Sequence, residues 1–268
     1  MYKLVALDLD GTLLNSNKAI SSYTEMIIKK AVSKGVKIVL ASARPYYRME
    51  KYTRQLDIVS PDQCSISFNG GLVIINDKSE RLLESGFDPQ QVREIIELGR
   101  TLDTSISIYT ETSLLTERIH EVFQNNKSSK DVNFNVVSFN DVDFYKTVVY
   151  KMVFVNFVER TPIIRKMIPK DFYERYEISS SVPEYVEFVP KGITKSHALE
   201  CIGSRFGIDK SEMISVGDQE NDLSMMNYVG LGVAMGNASE SVKLQAGDIT
   251  TTNDEDGVAK VIEKYFLK

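Results

Sequence analysis

The first apolar run along the chain is Leu4-Val5-Ala6-Leu7, four residues without a polar break, closed by Asp8. Such a run fits a strand buried on both faces of a parallel sheet. The pattern then shifts to a helical period over 22–34, where Ser22 and Glu25 have the spacing of a capping box and Gly35 supplies the stop. Further buried strands are predicted at 36–40 and 65–68, the latter running into Asn69-Gly70-Gly71. The same rhythm returns near the C-terminus. Residues 195–206 predict a helix with Ala198, Leu199, Ile202 and Phe206 on one face and Gly207 behind it. A strand at 213–216 ends in Gly217-Asp218. Short strands are predicted at 231–234 and 249–251, with a helix start marked by Asn237 and Glu240 between them, and an amphipathic helix at 258–266. Alternating strands and helices predict an α/β fold with a doubly wound, Rossmann-like parallel sheet.

The middle of the chain breaks that rhythm. Residues 89–102 predict a helix with Val92, Ile95, Ile96 and Leu98 inward, and 146–157 is rich in Val, Tyr and Phe, as antiparallel strands are. Segments 105–109 and 185–189 are further strand candidates, and 125–131 is a polar loop. The expected organisation is a catalytic core formed by 1–80 and 185–268, with an inserted α+β cap domain at 81–184. Connectors near 77–81 and 183–185 are the expected hinges.

Composition narrows the class. At 43% hydrophobic and 26% charged over 268 residues, the chain can bury a sizeable core. Its net charge of −5 and the lack of a basic stripe argue against nucleic acid as a partner. No apolar run nears the roughly 20 residues that span a bilayer, and no signal peptide opens the chain, so a cytoplasmic protein without a membrane partner is expected. Cys64 and Cys201 are too few for a disulfide framework, and His120 and His197 too few for a multi-histidine zinc site.

The chemistry gathers at strand ends. Asp8-Leu9-Asp10-Gly11-Thr12 follows the first buried strand, where parallel sheets place their ligand crevice. Alternation along a strand points Asp8 and Asp10 the same way, so one can attack phosphorus while the other handles the leaving-group proton. Gly11 and Thr12 allow a sharp turn beside a phosphate. Gly217-Asp218-Gln219-Glu220-Asn221-Asp222 follows another buried strand and offers oxygen ligands suited to a hard cation. The alternative for both clusters is solvated turn and helix-start chemistry. Carboxylates gathered in one crevice repel a phosphate dianion, by roughly 4 kcal/mol per like pair at about 4 Å and an effective dielectric near 20. The reading therefore needs Mg²⁺ and a lysine. Lys195, at a helix start, is the first candidate and Lys191 the second. Ser42-Ala43-Arg44-Pro45 follows the second strand, where a hydroxyl and backbone N–H groups suit a phosphate. Arg44 either binds substrate or pins this loop. Asn69 either forms a turn or touches substrate.

In this order, the Asp8–Thr12 motif, Ser42, Lys195 and Gly217-Asp218 with Asn221-Asp222 together resemble the haloacid dehalogenase superfamily. The flanks Phe68-Asn69-Gly70-Gly71, Val186-Glu187-Phe188-Val189-Pro190-Lys191-Gly192, Gly232-Val233-Ala234-Met235-Gly236-Asn237-Ala238 and Asn253-Asp254-Glu255-Asp256-Gly257-Val258-Ala259 resemble its Cof-type sugar-phosphatase branch. The resemblance implies an Mg²⁺-dependent phosphatase acting on a small phosphorylated metabolite, a sugar phosphate first, through an aspartyl-phosphate. It implies Asp8 as nucleophile and metal ligand, and Asp10 as general acid/base whose carbonyl also binds metal. Asp218 is implied as the remaining metal ligand, supported by Asp222. The implied phosphate contacts are Ser42, Lys195, Asn221 and the backbone N–H groups of Leu9 and Ala43. Thr12, Arg44 and Asn69 are read from the residues as supporting candidates. A phosphomutase of the same superfamily and a phosphate-responsive binding protein are the competing readings. The family usually carries glycine where this chain has Ala43; a positive φ there would strain alanine.

Overall fold

The computed structural model describes residues 2–122, 133–180 and 183–267. The polar loop predicted at 125–131 lies outside the described residues. The strands in chain order are β1 (Leu4–Leu7), β2 (Lys37–Ala41), β3 (Cys64–Ser67), β4 (Leu72–Ile75), β5 (Arg81–Glu84), β6 (Ser105–Tyr109), β7 (Leu114–Thr116), β8 (Phe134–Val136), β9 (Lys151–Val155), β10 (Tyr176–Ser179), β11 (Tyr185–Pro190), β12 (Met213–Gly217), β13 (Leu231–Ala234) and β14 (Asp248–Ile249). The long helices are α1 (Ser22–Ser33), α2 (Pro89–Thr101), α3 (Lys195–Phe206) and α4 (Gly257–Phe266). The chain divides into two compact units, Met1–Glu84 with Thr194–Lys268, and Ser85–Ile193.

The first unit is built on an eight-stranded sheet in the order β14-β13-β12-β1-β2-β3-β4-β5. The strands from β14 to β3 pair in parallel, and β4 and β5 extend the edge antiparallel. Leu4, Val5, Ala6 and Leu7 are all fully buried, because neighbouring layers cover both faces of β1. Each large apolar side chain so buried contributes about 1.5–3 kcal/mol relative to exposure. From β1 the chain passes to β2 on one side, while β12 joins on the other. The C-terminal ends of β1 and β12 are thus the switch point at which doubly wound sheets bind ligands.

The second unit carries a six-stranded sheet, β10-β11-β9-β6-β7-β8, antiparallel except for the β7–β8 pair. One face has its own core: Val92, Ile95 and Ile96 of α2 pack with Ile106, Ile108, Met152, Phe154, Val186 and Phe188. The opposite alternation of β9 and β11 places Lys151 and Glu187 together, Nζ to Oε2 3.4 Å, with both side chains at least nine-tenths buried.

The structure moves several predicted boundaries. Residues 81–84 pair with β4 in the first sheet, and 185–190 pair with β9 and β10 in the second. The divisions therefore fall at 84/85 and 193/194 instead of 80/81 and 184/185, and neither predicted hinge is a free connector. The cap of α1 is Ser21, whose side chain accepts from Thr24 N–H, one residue before the predicted Ser22. Of the long strand predicted at 146–157, only Lys151–Val155 is a strand. The run Leu72-Val73-Ile74-Ile75 forms a strand that the prediction passed over.

Candidate active site

The site grows from the register of β1 against β12. Leu7 pairs with Val216, and Asp8 extends the ladder by donating its N–H to Val216 C=O at 3.1 Å. Asp8 therefore leaves the sheet where β12 ends at Gly217, one residue before Asp218. Asp8 is only 7% exposed, Asp218 3% and Asp222 fully buried. Each offers a carboxylate oxygen within 4.8 Å of the others.

Two of these three buried carboxylates share a buried cation from the protein. Lys195, the first residue of α3, donates from Nζ to Asp8 Oδ1 at 2.7 Å and to Asp222 Oδ1 at 2.6 Å. Thr194 caps that helix by accepting the His197 N–H, which fixes where the lysine begins. Burial pushes the Asp8 carboxyl up to about 8, with Asp222 adding to the rise and Lys195 opposing it. Burial likewise raises Asp218. Burial opposes the charge on Lys195, but Asp222 and Asp8 more than offset this and hold the ammonium above its ordinary value.

The three carboxylates are not equivalent. Asp222 Oδ2 accepts the N–H groups of Asp218 and Gln219 at 2.9 and 3.1 Å, so with Lys195 it carries three hydrogen bonds. Asp218 accepts from Thr12 Oγ1 at 2.8 Å and Gln219 Nε2 at 3.1 Å. Asp222 is thus the brace of the loop, and Asp8 and Asp218 keep more coordinating capacity. Gly11 has φ +87°, and a Cβ there would lie 2.4 Å from Asp218 Oδ2, so this approach of backbone to carboxylate needs glycine. Asn237 Nδ2 secures the same turn by donating to Gly11 C=O at 2.8 Å.

A hard divalent cation fits this donor set. The oxygens are all carboxylate, and burial holds two of the acids above their ordinary range, which is the mark of a site short of positive charge. The carboxylate of Asp10 does not join that group. It is gripped by Arg44, Nε to Oδ2 at 2.7 Å and Nη2 to Oδ1 at 2.6 Å, with Lys18 Nζ on Oδ1 at 3.0 Å. Burial alone would raise Asp10, but Arg44 and Lys18 outweigh it and hold the carboxyl below its ordinary value. Arg44 therefore contacts Asp10 and pins its loop in one arrangement. Lys18, exposed and eight residues from Asp10, had no sequence signal beyond its charge.

Ser42 Oγ accepts the Arg44 N–H at 3.2 Å, which leaves its hydroxyl hydrogen free to donate. Among the described residues, the N–H groups of Leu9 and Ala43 donate to no protein acceptor. Ala43 is not among the residues of positive φ, so alanine there is unstrained. Asn221 donates to Asn69 Oδ1 at 3.3 Å. Lys191 lies outside the first unit and pairs with Glu177 at 3.0 Å. The 253–256 segment fastens the loop after β1: Asn253 Nδ2 donates to Leu14 C=O, and Asp254 accepts from Ser16.

Comparison with known proteins agrees with this architecture. The description of the haloacid dehalogenase-like hydrolases matches residues 5–262. The chain is 30% identical to YxeH of Bacillus subtilis, named as a candidate phosphatase, over 100% of this chain and 99% of that one. It is 29% identical to YitU of the same organism, a 5-amino-6-(5-phospho-D-ribitylamino)uracil phosphatase, over 98% and 97%. A crystal structure of a haloacid dehalogenase-like hydrolase from Bacteroides thetaiotaomicron superposes with a TM-score of 0.88 at 34% identity, over 99% of this chain and 100% of that one. A family match across nearly the whole chain, on a doubly wound sheet with its acidic residues at the switch point, makes this protein a haloacid dehalogenase-like hydrolase of the Cof-type branch.

Proposed function

We propose that this enzyme, a phosphatase by class, hydrolyses a phosphate monoester of a sugar or sugar-alcohol chain through an aspartyl-phosphate on Asp8, with Mg²⁺ bound by Asp8, Asp218 and the Asp10 carbonyl. The observation that carries the reading is Lys195, wholly buried and bonded at once to Asp8 and Asp222 at the switch point. The Cof-type flanks and the phosphorylated ribityl chain in YitU's name support the substrate class.

Bound Mg²⁺ would supply charge neutralisation for the carboxylates and the incoming phosphate. The chain's own groups do the rest. The Ser42 hydroxyl, the Lys195 ammonium, the Asn221 amide and the N–H groups of Leu9 and Ala43 hold the phosphoryl oxygens. A carboxylate oxygen of Asp8 attacks phosphorus, and the ester P–O bond breaks. Asp10, carrying a proton at this stage, gives it to the departing alkoxide. Asp10 then takes a proton from the water whose oxygen attacks phosphorus, the Asp8–phosphoryl bond breaks, and inorganic phosphate leaves. Arg44 and Lys18 favour the ionised Asp10 of the second step, so the first step requires Asp10 to leave their grip. Most of the acceleration comes from positioning and charge stabilisation.

The test is phosphate release from a panel of phosphorylated metabolites with Mg²⁺ and with chelator, wild type beside Asp8→Asn. Release that requires both Mg²⁺ and Asp8 is expected, with sugar and sugar-alcohol phosphates leading the panel. Undiminished turnover by Asp8→Asn would refute the nucleophile. Conversion to an isomeric phosphate without release would indicate a mutase.

A further inference from the structure

The turn after β3 has a backbone its sequence does not favour. Phe68, Asn69 and Gly70 have φ of +52°, +57° and +114° in succession. A left-handed conformation is tolerable for asparagine but costly for phenylalanine, and such strain persists only where the surroundings over-determine it. Here they do. Phe68 N–H donates to Arg44 C=O at 3.3 Å, and Asn69 N–H to Ser42 C=O at 3.0 Å. Gly70 lies so close to Thr194 that a Cβ would sit 2.2 Å from its carbonyl oxygen. The turn thus joins the Ser42–Arg44 loop to the start of the helix carrying Lys195.

The Asn69 side chain makes the fourth connection, accepting from Asn221 Nδ2 at 3.3 Å through Oδ1. Its own Nδ2 donates to nothing among the described residues, and Asn69 is only half-buried. An amide donor is therefore left open on a turn whose backbone touches Ser42 and the start of the Lys195 helix and whose side chain touches Asn221.

We infer that Asn69 is a further substrate-binding residue: its Nδ2 donates to a phosphoryl oxygen while its Oδ1 orients the Asn221 amide toward the same group. The inference rests on the phosphatase reading above and extends it to a side chain outside the four motifs.

Two variants separate binding from turn formation. Asn69→Gly keeps the left-handed backbone and removes the amide. Asn69→Asp also tolerates the backbone and still accepts from Asn221, but replaces the donor with a negative charge. Affinity for inorganic phosphate, measured calorimetrically on the Mg²⁺-supplemented full chain, is read beside KM and kcat. Asn69→Gly is expected to weaken phosphate binding and raise KM by about tenfold to a hundredfold, the loss of one hydrogen bond to a charged group. Asn69→Asp is expected to lose more than Asn69→Gly. A residue that only forms the turn would leave phosphate affinity and KM of both variants at the wild-type value, and that result overturns the inference alone. Wild type that neither hydrolyses the panel nor binds phosphate overturns the phosphatase reading and this inference with it.

Discussion

Binding of Mg²⁺ to this site should release a proton. Without metal, burial and the neighbouring Asp222 push Asp8 up to about 8, and Asp218 is raised as well. A cation coordinated by Asp8 needs that carboxylate ionised. Below pH 8 each further pH unit should therefore weaken Mg²⁺ by about tenfold, or 1.36 kcal/mol, so affinity at pH 6 should be about a hundredfold below its plateau. The same linkage acts on stability. Because the folded-state value of Asp8 is raised, its contribution to stability is fully present below its unfolded value of about 4 and is lost as pH rises toward about 8. The melting temperature of metal-free protein should fall on this account across that window, and Mg²⁺ should restore it most strongly at the alkaline end. Titration calorimetry at pH 6, 7, 8 and 9, in buffers of different ionisation enthalpy, counts the protons. About one should be released at pH 6–7, and close to none at pH 9. An affinity flat from pH 6 to 9 with no proton release would refute the electrostatic account of the site.

Four further outcomes follow from contacts described above. Gly11→Ala forces a side chain into a φ of +87° and onto Asp218; it should cost at least about 1–2 kcal/mol in denaturant unfolding and weaken Mg²⁺ binding in calorimetry. Arg44→Lys keeps the charge but loses the two-pronged grip on Asp10. The Asp10 carboxyl should then rise, so if Asp10 acts as the proposed acid/base the corresponding limb of the pH–rate profile should move to higher pH. Lys195→Met removes the ammonium that braces Asp8 against Asp222; phosphate release should fall by at least about 10²-fold, as for the loss of a charge-stabilising donor. In the second unit, Lys151→Met leaves the buried Glu187 carboxylate without its ammonium and should cost about 3 kcal/mol in chemical denaturation.

The sequence was most legible where one physical signal was strong. Four fully apolar residues before Asp8 can hardly be anything but a central strand, and 231–234 is bounded to the residue, with Gly230 before it and Gly236 one position beyond Met235. Edges were less legible. Residues 81–84 and 185–190 have no composition that tells one sheet from another, since partner choice is a long-range matter, and the domain divisions shifted with them. The apolar run at 72–75 was a visible strand signal that the adjacent Asn69-Gly70-Gly71 turn obscured. Among site residues, the pattern named the carboxylates and the lysine that the fold draws together. It could not show that Asp222 spends its oxygens on the loop and Lys195, nor that Asp10 turns to Arg44 and Lys18, because side-chain direction at a turn depends on neighbours far along the chain.

The arrangement of the first sheet also sets when the protein can begin to work during its own synthesis. Asp8 meets Lys195 across 187 positions of sequence, and Thr12 meets Asp218 across 206. At translation rates of about 5–20 residues per second, roughly 10–40 s separate the emergence of those last two partners. Throughout that interval β1 stands on the nascent chain without β12, while the residues of the second unit emerge and find partners close by in sequence. Closing so long a loop is slow and falls late in folding. Asp8, Lys195 and the bracing Asp222 therefore come together only when nearly the whole chain has left the ribosome.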